Sequence, residues 1–365
     1  MSIRFGASIN RGAGCLDGLS EVAIGHASVA DTGVTVIATP KGAVAAVDVR
    51  GGGPGTRETD LLSPENTVEK VHSIVLAGGS AFGLAAADGV MRELARRGIG
   101  FEVTPDFPDV LVPIVPGAVI FDLLLGSKDV PDAALGAQAV AAALDQLDDE
   151  SVNATPATSV PSGCVGAGTG AMAGAIKGGF GQACVALPGG YFVAAVMVAN
   201  PMGAVVGPDG RLYGDSTQPA VPEQAMAELA KRFVGMTKVP VPKESTTHDG
   251  ADKAASSAST RNTTIGCLIT NAPVTQAQAQ RLAMCGHDGL ARAIRPAHAP
   301  MDGDTLFCVS IGGNDSAALS VDSTELAMLT VAASDAVENA IVDAVLSAEG
   351  RAGVPAWKDL VGDPQ

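Results

Sequence analysis

The sequence predicts an α/β protein. Short apolar runs of β character alternate with Ala- and Leu-rich stretches of helical pattern along most of the chain. Hydrophobic residues make up 47% against 17% charged, which excludes disorder as the dominant state. The 365 residues are enough for one large domain or two small ones with a substantial core. Aromatic residues are only 3%, so that core must be built from Ala, Val, Leu and Ile. The 45 glycines imply tight turns and close backbone approaches.

Taken in order, Gly33–Val49 (GVTVIATPKGAVAAVDV) reads as two β-rich runs broken by Pro-Lys-Gly, a hairpin signal. A glycine-rich loop follows, Gly51–Asp60. The apolar run Ser73–Gly79 precedes a helical pattern from Ala81, with Ser80 as N-cap and Gly98 at C′. Asp132–Leu147 reads as a second helix, Phe192–Asn200 as a buried strand and Glu223–Phe233 as a short helix. Gly235–Arg261 is rich in Pro, Ser, Thr and charge and reads as a flexible linker. The apolar run NTTIGCLITNA then begins a strand; Thr275 caps a helix over Gln276–Ile294, Leu306–Ile311 is another buried strand, and Thr324–Glu349 is a long helix. No internal repeat is visible, and local pattern does not separate parallel from antiparallel pairing.

Lys and Arg number 23 against 39 Asp and Glu, a formal charge of −16, which argues against phosphate-backbone binding and so against a nucleic-acid partner. No run is apolar and long enough to span a membrane and the start carries no signal-peptide pattern, so a cytoplasmic protein is expected. The six cysteines are scattered without C-x-x-C spacing, which argues against a zinc or redox motif.

Asn262-Thr263-Thr264 stands where the polar linker meets a strand. A threonine hydroxyl is a weak nucleophile and needs a base within hydrogen-bond reach. A threonine at a new chain N-terminus carries one, its own α-amine, with an unperturbed pKa of roughly 7.7–8.0. Attack of the Thr263 hydroxyl on the Asn262 carbonyl would uncover that amine by an N-to-O acyl shift; a plain loop-to-strand junction is the alternative. Asp302 and Asp304, in MDGDT, can orient an ammonium or a hydroxyl, or hold Mg²⁺ or Ca²⁺, or form an Asx turn. Lys177 is a lone cation in a Gly/Ala-rich stretch, either desolvated and poised near an anion or reaching solvent from a loop. Asn200 ends a strand before Pro201, as an oxyanion donor or a turn-starting residue. The glycine motifs are weak: Val165–Gly174 lacks a preceding strand, and Leu76–Gly83 does not meet Gly-x-Ser-x-Gly. His287-Asp288 reads as a surface pair on a helix.

Together, TVIATPKGAVAAVDVRGG, LAGGSAFGLAAADGV, the AVIFDL run, ANPMGAV, the NTTIG junction and MDGDTLF resemble, in the right order and over most of the chain, the self-processing L-aminopeptidase/D-esterase (DmpA-type) peptidases. That family includes β-aminopeptidases and the nylon-oligomer hydrolase, and the Asn–Thr junction is similar to the latter branch. The resemblance implies a four-layer α/β/β/α sandwich, like the N-terminal-nucleophile hydrolases with different connectivity. It implies a single domain, 1–365, cut into 1–262 (with the linker 235–261) and 263–365. Thr263 matches the nucleophile and Asn262–Thr263 the cleavage site; Asn200 matches an oxyanion asparagine, Lys177 an active-site lysine, and Asp302 and Asp304 residues around the nucleophile. Phe121 stands where the family has a tyrosine, which removes a hydroxyl from a position that meets substrate. Small peptide or amide substrates, no cofactor, no metal and a cytoplasmic homo-oligomer (a tetramer) of processed units are further implications. An acyltransferase of the ornithine acetyltransferase type, an uncleaved binding protein and a metal-dependent hydrolase using Asp302 and Asp304 are the competing readings.

Overall fold

The computed structural model describes residues 7–16, 19, 21–148, 160–234, 237–238, 262–312 and 321–362. Among them, nine strands of three residues or more carry the architecture: β1 (Ser8–Arg11), β2 (Ala23–Val29), β3 (Thr32–Val49), β4 (Lys70–Ala77), β5 (Gly117–Val119), β6 (Phe180–Ala186), β7 (Phe192–Val198), β8 (Ile265–Thr270) and β9 (Thr305–Ser310). They pair in the order β1-β6-β7-β8-β9-β3-β4-β5, with β2 on the first half of β3. β8 runs parallel to β9, and β4 to β5; the other pairs are antiparallel.

Period-two alternation sorts these strands into layers. On β7, Val193, Ala195 and Met197 join one core, with the helices α4 (Gln276–Ala293) and α5 (Ser323–Leu346). Their neighbours Ala194, Val196 and Val198 join a second core with Ile37, Ile74, Leu76, Cys267 and Phe307. The opposite face of the β2–β3–β4 sheet, with Val34, Val36 and Val75, packs on α1 (Ala86–Arg96) and α2 (Ala133–Asp148). Three apolar interfaces therefore separate four layers, α1α2 / β2–β5 / β6–β9 / α4α5, and the α/β/β/α expectation holds. Two further helices among the described residues are α3 (Glu223–Arg232), after β7, and α6 (Trp357–Val361), after α5. Thr275 and Gln278 form a capping box on α4, as Asp322 and Glu325 do on α5.

Two local expectations fail. Pro40-Lys41-Gly42 makes no hairpin: β3 is one strand of 18 residues, with a register shift between Ala38 and Ala43. The same strand serves both sheets, pairing with β2 over its first half and with β9 over its second. Pairing along both halves overrides the local turn signal, and the extra residues go into a bulge that bends the strand. Ser80 is not a side-chain cap: it has φ of 55° and starts a 3₁₀ turn, Ser80–Ala85, that runs into α1. The Gly98 stop holds, with φ of 72° and its N–H on the Ala95 carbonyl. The linker expected over 235–261 lies outside the described residues, apart from Thr237–Lys238, which pair with Phe233–Val234.

Candidate active site

The topology brings three strand ends together. β7 is antiparallel to β8, with Val198 opposite Ile265, so the end of one meets the start of the other. β8 and β9 are parallel, with Ile265 opposite Thr305, so the residues ahead of them lie side by side. Asn262 accordingly pairs with Asp302 in a parallel bridge. Asn200, Asn262, Thr263, Asp302 and Asp304, far apart in sequence, meet at one point and are all nearly fully buried.

The Thr263 hydroxyl lies in contact with the carbonyl oxygen of Asn262. The Gly303 N–H donates to both, at 3.0 Å to the carbonyl oxygen and 3.2 Å to Oγ1. The Thr263 N–H donates to the backbone carbonyl of Asn200 at 3.0 Å. Asp304 Oδ1 accepts the Thr264 N–H at 2.8 Å, and its Oδ2 accepts the His298 N–H at 3.0 Å with His298 Nδ1 at 2.9 Å. Asp302 spans the site, Oδ1 accepting from Met202 N and Oδ2 from Ala299 N, both at 3.2 Å. All four carboxylate oxygens thus accept N–H donors, most of them backbone. The buried Nδ2 of Asn262 and Oγ1 of Thr264 have no hydrogen-bond partner among the described residues.

A glycine loop closes over this turn. Arg50 and Gly51 donate to the Asp304 carbonyl, Gly53 to the Asp302 carbonyl and Gly52 to that of Ala299. A Cβ on Gly51 would lie 2.3 Å from the Asp302 oxygen, so the approach requires glycine there.

The Asn200 carboxamide accepts the Met172 N–H at 2.9 Å and donates to the Phe121 carbonyl at 3.2 Å. The side chain is therefore held by two segments, while the Asn200 backbone carbonyl meets the Thr263 N–H. Lys177 sits in a small hairpin, opposite Met172, and is completely buried. Its ammonium donates to the Thr169 and Ala171 carbonyls at 3.0 and 2.7 Å, which orders the segment carrying Met172. Burial is the main cause that lowers its pKa from 10.5 to about 8, while Asp122 and Asp31 pull the other way. Asp122 accepts from Thr32 Oγ1 and the Gly79 N–H, both at 2.7 Å, and burial raises its pKa. Lys177 is thus linked to Asn200 through the Thr169–Met172 segment. Phe121 is half-buried, and its backbone carbonyl, rather than its ring, makes the link to Asn200.

The surface pair expected at His287-Asp288 does not form. Asp288 is exposed, whereas His287 is buried against β3, with Nε2 3.1 Å from the Asp48 carbonyl. Sequence reasoning missed His298 and the Gly303 N–H. The only signal for them was their place in AHAPMDGD, beside the two aspartates.

The fold matches the β-aminopeptidase of Burkholderia sp. with a TM-score of 0.64 at 21% identity, covering 99% of each chain. It matches the L-aminopeptidase D-Ala-esterase/amidase of Ochrobactrum anthropi, a variant of the N-terminal-nucleophile hydrolase fold, with a TM-score of 0.64 at 20% identity, covering 96% of this chain and 92% of that one. These likenesses define the architecture as that hydrolase fold. The chain belongs to peptidase family S58, whose profile matches residues 16–356, and is a hydrolase. An aminopeptidase of Mycobacterium leprae, described as uncharacterized, is 44% identical over 333 residues, 89% of this chain and 85% of that protein. The 6-aminohexanoate-oligomer endohydrolase of Paenarthrobacter ureafaciens is 30% identical over 335 residues, 87% of this chain and 82% of that protein. Family members hydrolyse peptide or amide bonds. No helix among the described residues is long and apolar enough to cross a membrane.

Proposed function

We propose that the protein is a self-processing amide hydrolase with Thr263 as its nucleophile. The observation that carries this is the Gly303 N–H, shared between the Asn262 carbonyl oxygen and the Thr263 hydroxyl that touches it. Attack of Oγ1 on the Asn262 carbonyl carbon passes through a five-membered ring and puts negative charge on the oxygen that Gly303 already holds. The C–N bond breaks, the nitrogen leaves as an amine carrying the hydroxyl proton, and Asn262 becomes an ester on Thr263. Water then releases Asn262 as a carboxylate and leaves Thr263 with a free amine and hydroxyl.

In turnover the amine takes the hydroxyl proton and Oγ1 attacks the substrate amide. The Asn200 backbone carbonyl is placed to orient that amine, and Asp304 holds the next residue's N–H. The leaving amine departs with the proton, and water hydrolyses the acyl-enzyme. Gly303 N–H and the Asn200 carboxamide supply the oxyanion donors, the latter on turning from Phe121 to the substrate. Asp302 holds the turn, and Lys177, near neutrality partly an uncharged amine, tunes the charge behind Asn200.

The names of its relatives support small peptides and linear aliphatic amides as substrates. Hydrolysis of a panel of aminoacyl p-nitroanilides and 6-aminohexanoate oligomers tests this: turnover by the wild type and none by Thr263→Ala is expected. Undiminished turnover by Thr263→Ala contradicts the assignment. The cytoplasmic location and the tetramer implied by the resemblance belong to the same proposal and are read by cell fractionation and light scattering.

A further inference from the structure

His298 lies outside every role assigned above, yet it makes the closest side-chain contact to Asp304. Its backbone N–H and its Nδ1 converge on one oxygen, Asp304 Oδ2, at 3.0 and 2.9 Å. The other oxygen, Oδ1, holds the Thr264 N–H at 2.8 Å, one residue from the nucleophile. Against a carboxylate, Nδ1 must carry its proton, which fixes the tautomer of the ring.

Two features hold the ring there. The backbone at His298 has φ of 55°, a left-handed conformation that non-glycine residues seldom adopt. It aims both donors at the same oxygen. The ring also meets His287 edge-on, with centroids 4.7 Å apart. Burial lowers the His287 pKa to about 4, so that ring is neutral near neutrality, and its Nε2 reaches the Asp48 carbonyl at 3.1 Å. Asp48 is in turn paired with Arg50, whose backbone N–H is bonded to the Asp304 carbonyl. The chain of contacts closes around Asp304 from β3, α4 and the turn before β9.

We propose that His298 is a positioning residue for the nucleophile: its Nδ1–H locks the Asp304 carboxylate so that Asp304 sets the position of Thr264 and, through it, the aim of the Thr263 hydroxyl. This rests on the reading of Thr263 as nucleophile. Removing the side-chain donor leaves the Asp304 carboxylate held only by the His298 and Thr264 backbone N–H groups, and this looser hold slows the step in which Oγ1 attacks and leaves substrate affinity nearly unchanged.

The test uses the full chain, with the rate of appearance of the two fragments followed by intact mass. His298→Asn tolerates the left-handed backbone and keeps an amide N–H near the Nδ1 position; His298→Gln puts its amide near Nε2; His298→Gly keeps the backbone but has no side-chain donor. Loss of a hydrogen bond to a charged group corresponds to about a ten- to hundredfold effect. Self-cleavage slowed by about that factor in Gly and Gln, with Asn within about threefold of wild type, supports the proposal. If Gly lowers the melting temperature, the comparison of Asn with Gln, of equal polarity, decides. Equal rates in all variants, or equal slowing in Asn and Gln, overturn it. A wild type that does not cleave, or a Thr263→Ala chain that does, overturns the nucleophile reading instead. On cleaved material, kcat falling with KM unchanged is the matching result.

Discussion

Lys177 gives the most quantitative handle on the site. Its ammonium is completely buried, and desolvation lowers its pKa from 10.5 to about 8. At ~1.4 kcal/mol for each tenfold change, that shift corresponds to a cost of about 3 kcal/mol for carrying the charge in the folded state. The folded pKa lies below the unfolded one, so the unfolded chain binds the proton more tightly. The cost is therefore complete below about pH 8 and is relieved as pH rises from about 8 to about 10.5. The uncharged amine has two N–H groups, which match the two carbonyl acceptors of Thr169 and Ala171. Lys177→Met removes the titration. Both chains carry Thr263→Ala as well, so that one covalent chain unfolds in each. Urea unfolding then gives the stability difference between the lysine and methionine forms. That difference shifts in favour of lysine by about 3 kcal/mol between about pH 7 and about pH 10.5, other titrations cancelling. A difference that stays constant with pH, or shifts the other way, refutes the burial argument and places the ammonium in water.

Two further predictions separate neighbours at the junction. Thr264→Val removes a fully buried hydroxyl that has no partner among the described residues, at nearly constant shape. Stability is unchanged or higher by about 1 kcal/mol in a thermal melt, and self-cleavage continues. Thr263→Val, one residue earlier, abolishes cleavage. Gly303→Ala would put a Cβ 2.8 Å from the Gly53 carbonyl oxygen and 2.9 Å from Thr263 Oγ1. The turn must shift and the shared N–H moves away, so the initial rate of fragment formation drops by about a hundredfold.

The sequence pattern carried the helices best, because their ends are written locally: Thr275 and Gln278 cap α4 and Gly98 stops α1. Strands with an uninterrupted apolar run, Phe192–Val198 and Thr305–Ser310, were equally readable. β3 was not, because Pro40-Lys41-Gly42 is a local turn signal, while the forces keeping it one strand come from β2, β4 and β9. The site shows the same division. Asn200, Thr263, Asp302 and Asp304 are chemically conspicuous types at strand ends, so sequence and resemblance together singled them out. His298 and His287 owe their roles to burial against β3 and to Asp304, contacts created by the fold. The Gly303 N–H is a backbone group, which no residue-type argument could flag. Lys177 was visible as a lone cation, but only the structure shows its ammonium on the Ala171 carbonyl, next to the Met172 whose N–H donates to the Asn200 carboxamide.

Every role proposed for the site depends on Thr263 cutting the Asn262–Thr263 bond. The most direct measurement is the intact mass of the purified, denatured chain with no protease present. Cleavage there divides 365 residues and 36.3 kDa into pieces of 262 and 103 residues, about 26 and about 10 kDa, the second beginning at Thr263. The wild type is expected to give these two masses, and Thr263→Ala one full-length mass. A single full-length mass from the active wild type, or the same two fragments from Thr263→Ala, contradicts cleavage by Thr263.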